Sequence, residues 1–407
     1  AMKTSPVPTG AGIASCLFCL ALLAPLPGRA ETAEIDDKPL LTLRGFGTLG
    51  LVRTNSDDIQ FVRDLSQPDG ANRDWTASVD SILGIQATWQ LTPVTESVVQ
   101  AISRYRYDGS YRPEISWAFV RHQLSPDTQI RVGRLGTEFY LLADSRWVGY
   151  ANLPVRPPPD YYGPLIISYL DGFDLSTTLP WQEGLVRGKL FAGLAAEKSP
   201  FVMPLQWDLR NSPMVGGHLD FLNGPWQFRA GHTRIRFKHE LPVNELVGFD
   251  LLSQAPGLSI RNTRARFNSL GLAYDGGPLQ LQGMVSHIAY ESSFYEDSRA
   301  GFAIASYRLA RFTPYLGYSR VVSKPGSAKA LATPALQPTV ANLMASSHSN
   351  QHSLFLGLRW DFQHNLALKA QLDRVRGSTG SVFPVREPDN DNPGHYTVIS
   401  FTLDFVF

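Results

Sequence analysis

Several groups of residues have types and spacings that could do chemistry. Gly45-Phe46-Gly47-Thr48-Leu49-Gly50 fits the G-x-G-x-x-G pattern, which turns a strand into a helix and aims backbone N–H groups at a pyrophosphate. The run that follows, LVRTNSDD (51–58), has no helical period, so these glycines read as features of a curved first strand. The turn EPDNDNPG (387–394) crowds carboxylates and amides together, but lacks the EF-hand spacing and its closing glutamate. His348 and His352 lie four apart in SSHSNQH, which is not helical, so they would not share a face. His232 with Ser269 or Ser286 could supply a base and a nucleophile, yet no motif fixes them together. None of these predicts a metal, a cofactor or a catalytic centre, and the chain is expected not to be an enzyme.

The arginines are the stronger signal. ISRYRYD carries Arg104 and Arg106, QIRVGRL carries Arg131 and Arg134, HTRIRFK carries His232, Arg234, Arg236 and Lys238, and RARF adds Arg264 and Arg266. In these runs basic residues alternate with apolar ones, with Arg134 at the mouth of its strand, which predicts strands with a cationic face. Facing a water-filled pore, that wall would concentrate anions; facing bulk water, it would only keep a sheet soluble. One detail disturbs the phase. Trp226 and Phe228 share the parity of Arg234, so either a bulge falls near Gly231 or those aromatics point inward.

Positioning such a wall needs strands, and the chain is built of them. Mean hydropathy is −0.13, and no stretch after residue 30 is apolar for the roughly 18 residues a spanning helix needs. Segments of roughly ten alternating residues recur instead, separated by turns. LFLGLRWDF (354–362) and LALKAQLD (366–373) flank the tight turn QHN. Similar short turns fall at 92–94, 125–127, 180–184, 223–225, 275–277 and 309–311, alternating with longer connections at 54–78, 135–166, 197–211, 241–264, 324–349 and 377–394 and shorter links near 108–111 and 293–296. The count predicts sixteen antiparallel strands with both chain ends on the short-turn side. In lipid every backbone polar group must be paired, so such a sheet closes into an all-β, membrane-spanning antiparallel barrel. The last segment, YTVISFTLDFVF (396–407), puts Ile399, Phe401, Leu403, Phe405 and Phe407 on one face and Ser400, Thr402 and Asp404 on the other. Slipping it by one residue would push Asp404 into hydrocarbon, so one register wins.

The first thirty residues read as a signal peptide: Lys3, the apolar IASCLFCLALLAPL (13–26), then small Gly28 and Ala30 before a cleavage site at Glu31. A lipobox around Cys16 is the rival reading. Cys16 and Cys19 are the chain's two cysteines, so residues 31–407 would form the barrel without disulfides or thiolate metal sites. With 37 Lys+Arg against 36 Asp+Glu, no global field points to nucleic acid.

The stretch RVGRLGTEFYLLADSRWVGYANLPVRPPPDYYG (131–163), continued by LDGFDL (170–175), resembles the constriction-loop region of sixteen-stranded Gram-negative outer-membrane porins. The signal peptide, the strand count and terminal Phe407 extend the resemblance along the chain. It implies that the loop at about 135–166 folds into the barrel, with Glu138 and Asp144 facing Arg104, Arg106 and Arg131, and with Arg146, Arg156 and Asp160 on the same loop. It implies that Phe407 is read by the barrel-assembly machinery, that the partners are outer-membrane lipid and lipopolysaccharide, and that subunits form a homotrimer. The link at 108–111 is short for the subunit latch that the family's second loop often supplies. The expected function is a passive diffusion channel for small hydrophilic solutes and ions, with an anion preference from lumenal Arg104, Arg106, Arg131, Arg134, Arg234, Arg236 and Lys238. The alternatives are a channel specific for small carboxylates or phosphate, and a non-conducting structural or adhesive barrel.

Overall fold

The alternating segments become sixteen strands: β1 (Leu41–Thr54), β2 (Ile82–Thr92), β3 (Thr95–Arg104), β4 (Glu114–Ser125), β5 (Thr128–Gly136), β6 (Tyr169–Trp181), β7 (Gly184–Ala195), β8 (Pro213–Asn223), β9 (Trp226–Arg236), β10 (Arg264–Gly276), β11 (Leu279–Tyr290), β12 (Ser298–Tyr307), β13 (Phe312–Ser323), β14 (Asn350–Gln363), β15 (Leu366–Gly377) and β16 (His395–Val406). The computed structural model describes residues 40–138, 141, 145–202, 204–378, 381, 385–386 and 394–407. The expected signal segment 1–30, Asp144 and most of the acidic turn 387–394 lie outside the described residues.

Each strand pairs antiparallel with its sequence neighbour, and β1 pairs with β16 to close the barrel. The closing seam runs from Phe46 opposite Val406 to Thr54 opposite Val398. Beyond it the Gly45 N–H donates to the Phe407 carbonyl at 2.8 Å, and the Phe407 N–H donates back at 2.9 Å. The rings of Phe407 and Phe405 lie over Gly45 and Gly47, where a Cβ would meet them at 2.1 and 2.3 Å. The glycines of the apparent nucleotide motif are therefore seats for the C-terminal aromatics.

The faces separate as alternation predicts. Leu51, Ile85, Val132, Phe173, Leu190, Leu219, Leu270, Leu316, Leu354 and Phe401 are large, apolar and exposed on the outer surface, while Thr48, Ser400, Thr402 and Asp404 are buried inside. Trp89, Trp181, Trp226, Tyr307, Phe312 and Trp360 sit outward near the short turns. An apolar belt edged by aromatics matches a lipid bilayer, not water. No described helix is long and apolar enough to cross a membrane; the crossing is made by strands.

Two expected strands are shorter than the periodicity suggests. β3 ends at Arg104, leaving Arg106 in the turn beyond it, and β9 ends at Arg236, leaving Lys238 in the following connection. The connections at the other end turn inward: Ile59, Phe61, Leu251, Leu258, Phe294, Val340 and Met344 are all buried. The segment Gln337–Ala345 is helical.

Candidate functional site

Residues 137–168 connect β5 to β6, and this loop enters the barrel instead of projecting from it. Its first leg is tied to the wall it came from: Glu138 accepts from Arg131 Nη2 at 2.6 Å and pairs with Lys189 of β7. Arg131 also pairs with Asp174 of β6. Burial pushes the Glu138 carboxyl up, but Lys189 and Arg131 outweigh it and hold the pKa down at about 2.

The loop then crosses the lumen. Leu141 packs against Gly271 of β10, where a Cβ would come within 2.8 Å of its Cδ1. Trp147 packs with Phe46, Ile82 and Ile102 of β1–β3. Its ring carries three guanidinium groups, with Arg146 at 4.3 Å, Arg104 at 4.4 Å and Arg63 at 5.0 Å from the centroid.

The far wall holds the loop by its backbone and by buried charge. Lys369 Nζ of β15 donates to the carbonyls of Gly149, Asn152 and Pro154 at 2.7–3.1 Å, and pairs with Asp404 at 3.0 Å. Arg359 of β14 donates to the carbonyls of Tyr150 and Asn152. Arg156 is fully buried, its Nη2 2.5 Å from Asp80 and 2.6 Å from Ser400 Oγ. Asp160 accepts from Ser319 Oγ at 2.6 Å and from Gln351 Nε2 at 2.7 Å, while Tyr161 stacks edge-on against Phe302 of β12. Burial pushes the Asp160 carboxyl above its usual range. Unpaired backbone at membrane depth is tolerated only when buried in protein or lining a cavity, and these donors meet that demand.

The expected site residues therefore divide. Glu138 bridges Arg131 and Lys189 beside the lumen, whereas Arg104 and Arg106, which it was also expected to face, lie beside Glu114 instead. Arg146, Arg156 and Asp160 point into protein and fasten the loop. Arg104 is buried, 3.4 Å from Glu114, with Nη1 donating to Ser66 Oγ, and Arg106 lies 3.7 Å from both Glu114 and Asp108. Asp144 lies outside the described residues.

Three expectations are corrected by strand parity. Arg134 lies three residues from Arg131 and so on the outward side with Val132, paired with Asp171 at 2.7 Å. Arg234 and Arg236 are outward as well. β9 has no bulge at Gly231: Arg229 meets Asp220 inside, Gly231 and Thr233 follow the same face, and Arg234 stands opposite Arg266 on the outer surface. Trp226 and Phe228 share that outer side, so the parity conflict resolves with both aromatics and arginines outward. Lys238 lies beyond the strand. His232 is outward, bonded to Asn268, while Ser269 and Ser286 are buried on the inward side, so the imagined base and nucleophiles are separated by the sheet.

The inward cations that sequence reasoning missed lie on β4, β7 and β9. Arg121 pairs with Glu96, Arg229 with Asp220, and Arg187 is exposed to the lumen with no carboxylate partner among the described residues. Arg187 shares the parity of buried Lys189 on its strand and Arg229 that of buried Thr233, which was the available signal; Arg121 shares its parity with buried Phe119 and had none. With the loop occupying β12–β16 and β1, the free inward faces of β4–β9 form the charged side of the lumen.

The chain matches no family model and no curated protein by sequence; its likeness to solved structures is one of fold. An anion-selective porin from Comamonas acidovorans superposes with a TM-score of 0.55 at 14% identity, covering 90% of this chain and 99% of that one. OmpF of Salmonella typhi, in complex with daunomycin, gives 0.55 at 11% identity, and the outer-membrane channel DcaP of Acinetobacter baumannii gives 0.54 at 11%; each covers 90% of this chain and 97% of its own. The fold is thus the sixteen-stranded porin barrel with an inward loop.

Proposed function

We propose that this chain is an outer-membrane channel of a Gram-negative bacterium through which small hydrophilic solutes and ions diffuse passively, with a preference for anions. The observation that carries the reading is the loop 137–168, which crosses the lumen and is fastened to β12–β16 and β1 while the inward faces of β4–β9 carry Arg121 and Arg187 towards the lumen, beside Arg131, Lys189 and Arg229, which are paired with acids. Cations on a narrow wall raise the local anion concentration and lower the barrier for acidic solutes. The likeness to an anion-selective porin supports the sign of that preference. A channel specific for small carboxylates or phosphate would use the same residues. Export by way of residues 1–30, insertion guided by Phe407 and assembly as a homotrimer complete the proposal.

The outward basic residues fit the lipid partner. Arg266, Arg299 and Arg320 sit near the long-connection ends of β10, β12 and β13, and β9–β15 carry no outward carboxylate among the described residues. Such a row suits the phosphate groups of lipopolysaccharide. Planar-bilayer recordings on the purified protein test the channel: discrete conductance is expected, and a well-folded but silent barrel would favour the structural or adhesive alternative.

A further inference from the structure

The barrel wall reverses its polarity near the long-connection ends of β9–β13. Next to the short turns the outer face is apolar, with Trp226, Leu272 and Leu316, as lipid requires. Higher up, the outward positions become Arg234, Arg266, His287, Arg299 and Arg320. At the same level the inward positions become Met214, Ile235, Phe267, Ile288 and Val321, all buried. The change is one of residue type, because parity is unbroken through these pairings. On β10 the step from Tyr274 to Arg266 is about 27 Å along the strand, or about 20 Å along the barrel axis at the usual tilt. That places the reversal at the edge of the hydrocarbon. Above it, the wall is built like that of a water-soluble protein, polar outside and apolar inside.

The apolar interior is not filled. It bounds a cavity of about 920 Å³, roofed and floored by connecting segments that offer Ile166, Phe201, Val247, Phe294 and Trp207. Ile166, Phe201 and Val247 remain partly exposed within the cavity. Water gains few hydrogen bonds among such side chains, so an apolar guest would displace it favourably. The acid that lines the chamber, Glu296, is taken up by His348 at 2.9 Å and by Ser323, and Arg266 of β10, also at its margin, belongs to the outward side of its strand, so no charged group is aimed into the chamber to demand an ionic guest. The volume lies within the range of about 300–1,000 Å³ typical of small-molecule sites.

The geometry points to a binding site for a compact, uncharged apolar solute, aromatic by preference, held on the outer side of the inward loop. The aromatic preference comes from Phe201, Trp207, Phe237, Phe294 and Tyr295, whose rings lie 4.9–5.9 Å apart and offer edges and faces to a flat guest. As a stage in uptake the site rests on the channel reading; as a binding site it does not.

Trp207 is the reporter. The whole protein in phosphatidylcholine nanodiscs is titrated with 4-nitrobenzyl alcohol, a neutral aromatic quencher, with empty nanodiscs as the blank. Saturable quenching is expected, absent in Trp207→Phe, competed by cyclohexanol and untouched by glycerol. Ser298→Phe, which fills the chamber from β12, and the double variant Ile166→Ser with Val247→Ser, on loop positions that tolerate change, should each weaken binding at least tenfold. Heat-modifiable migration on gels certifies that each variant is folded, and the loop variants decide alone if Ser298→Phe does not fold. Quenching that never saturates, that equals partition into empty discs, or that persists unchanged in the folded variants would overturn the proposal, the chamber then being occupied by acyl chains or closed by its own loops. A conducting wild type that does not bind overturns the site and leaves the channel; a silent one that binds does the reverse.

Discussion

Arg156 and Asp80 form an ion pair from which water is excluded: Nη2 lies 2.5 Å from Oδ2, and both side chains are completely buried. Arg156 belongs to the inward loop and Asp80 to the connection preceding β2. Asp373 stands 3.7 Å away on the other side; burial pushes the pKa of Arg156 down, but these two acids outweigh it and hold it above its ordinary value. The pair locks two connections together inside the barrel. Because desolvation offsets much of the attraction, its value is in fixing one loop position more than in raw stability.

Removing Arg156 alone should therefore be costly. Arg156→Met leaves Asp80 buried without its partner, a loss of about 3–5 kcal/mol, read as a lower temperature at which the barrel loses its compact migration on gels. Replacing Arg156 and Asp80 together with apolar residues of similar size should recover most of that loss.

Acid acts on the loop at Glu138. Its pKa falls from 4.5 in the unfolded chain to about 2, so its stabilising contribution is complete above about pH 4.5 and disappears as pH falls through 2. Thermal unfolding measured from pH 7 to pH 2 should show a loss of stability in that window, and Glu138→Gln should flatten that part of the curve.

Charge in the lumen should matter according to its exposure. Neutralising Arg121 and Arg187 together should reduce the ratio of anion to cation permeability by a factor of about two to ten, measured as a shift of reversal potential. Neutralising Arg104, buried against Glu114 and Ser66, should move selectivity less and stability more. Equal shifts from both would place Arg104 in the conduction path.

Outside the barrel, the triple variant Arg266→Gln, Arg299→Gln and Arg320→Gln should keep wild-type conductance but lose retention of diphosphoryl lipid A through a detergent wash. Retention equal to wild type, or an altered oligomeric state with unchanged lipid, would assign the row to contacts between subunits.

The sixteen strands and all seven short turns were legible because a lipid-facing wall forces a period of two on every segment. The Asp404 face was legible too, since one register keeps Phe401, Leu403 and Phe405 in lipid. What alternation cannot tell is which face of a given stretch is inside. Arg234 and Arg266 alternate with Ile235 and Phe267 as they would in a polar lumen, yet the wall is reversed there. The parity of Trp226 and Phe228 was the clue, and it held without any bulge. The loop's inward course could be expected from its length and apolar content. Its fastening could not, since Arg156 meets Asp80 and Lys369 meets three carbonyls across more than seventy residues of sequence.

The central claim is a conducting lumen with a cationic wall, and reversal potentials in a potassium chloride gradient across a planar bilayer address it most directly. The account predicts stepwise conductance with a reversal potential displaced towards the chloride equilibrium value. A folded protein that opens no channel, or one whose current reverses on the potassium side, would contradict it.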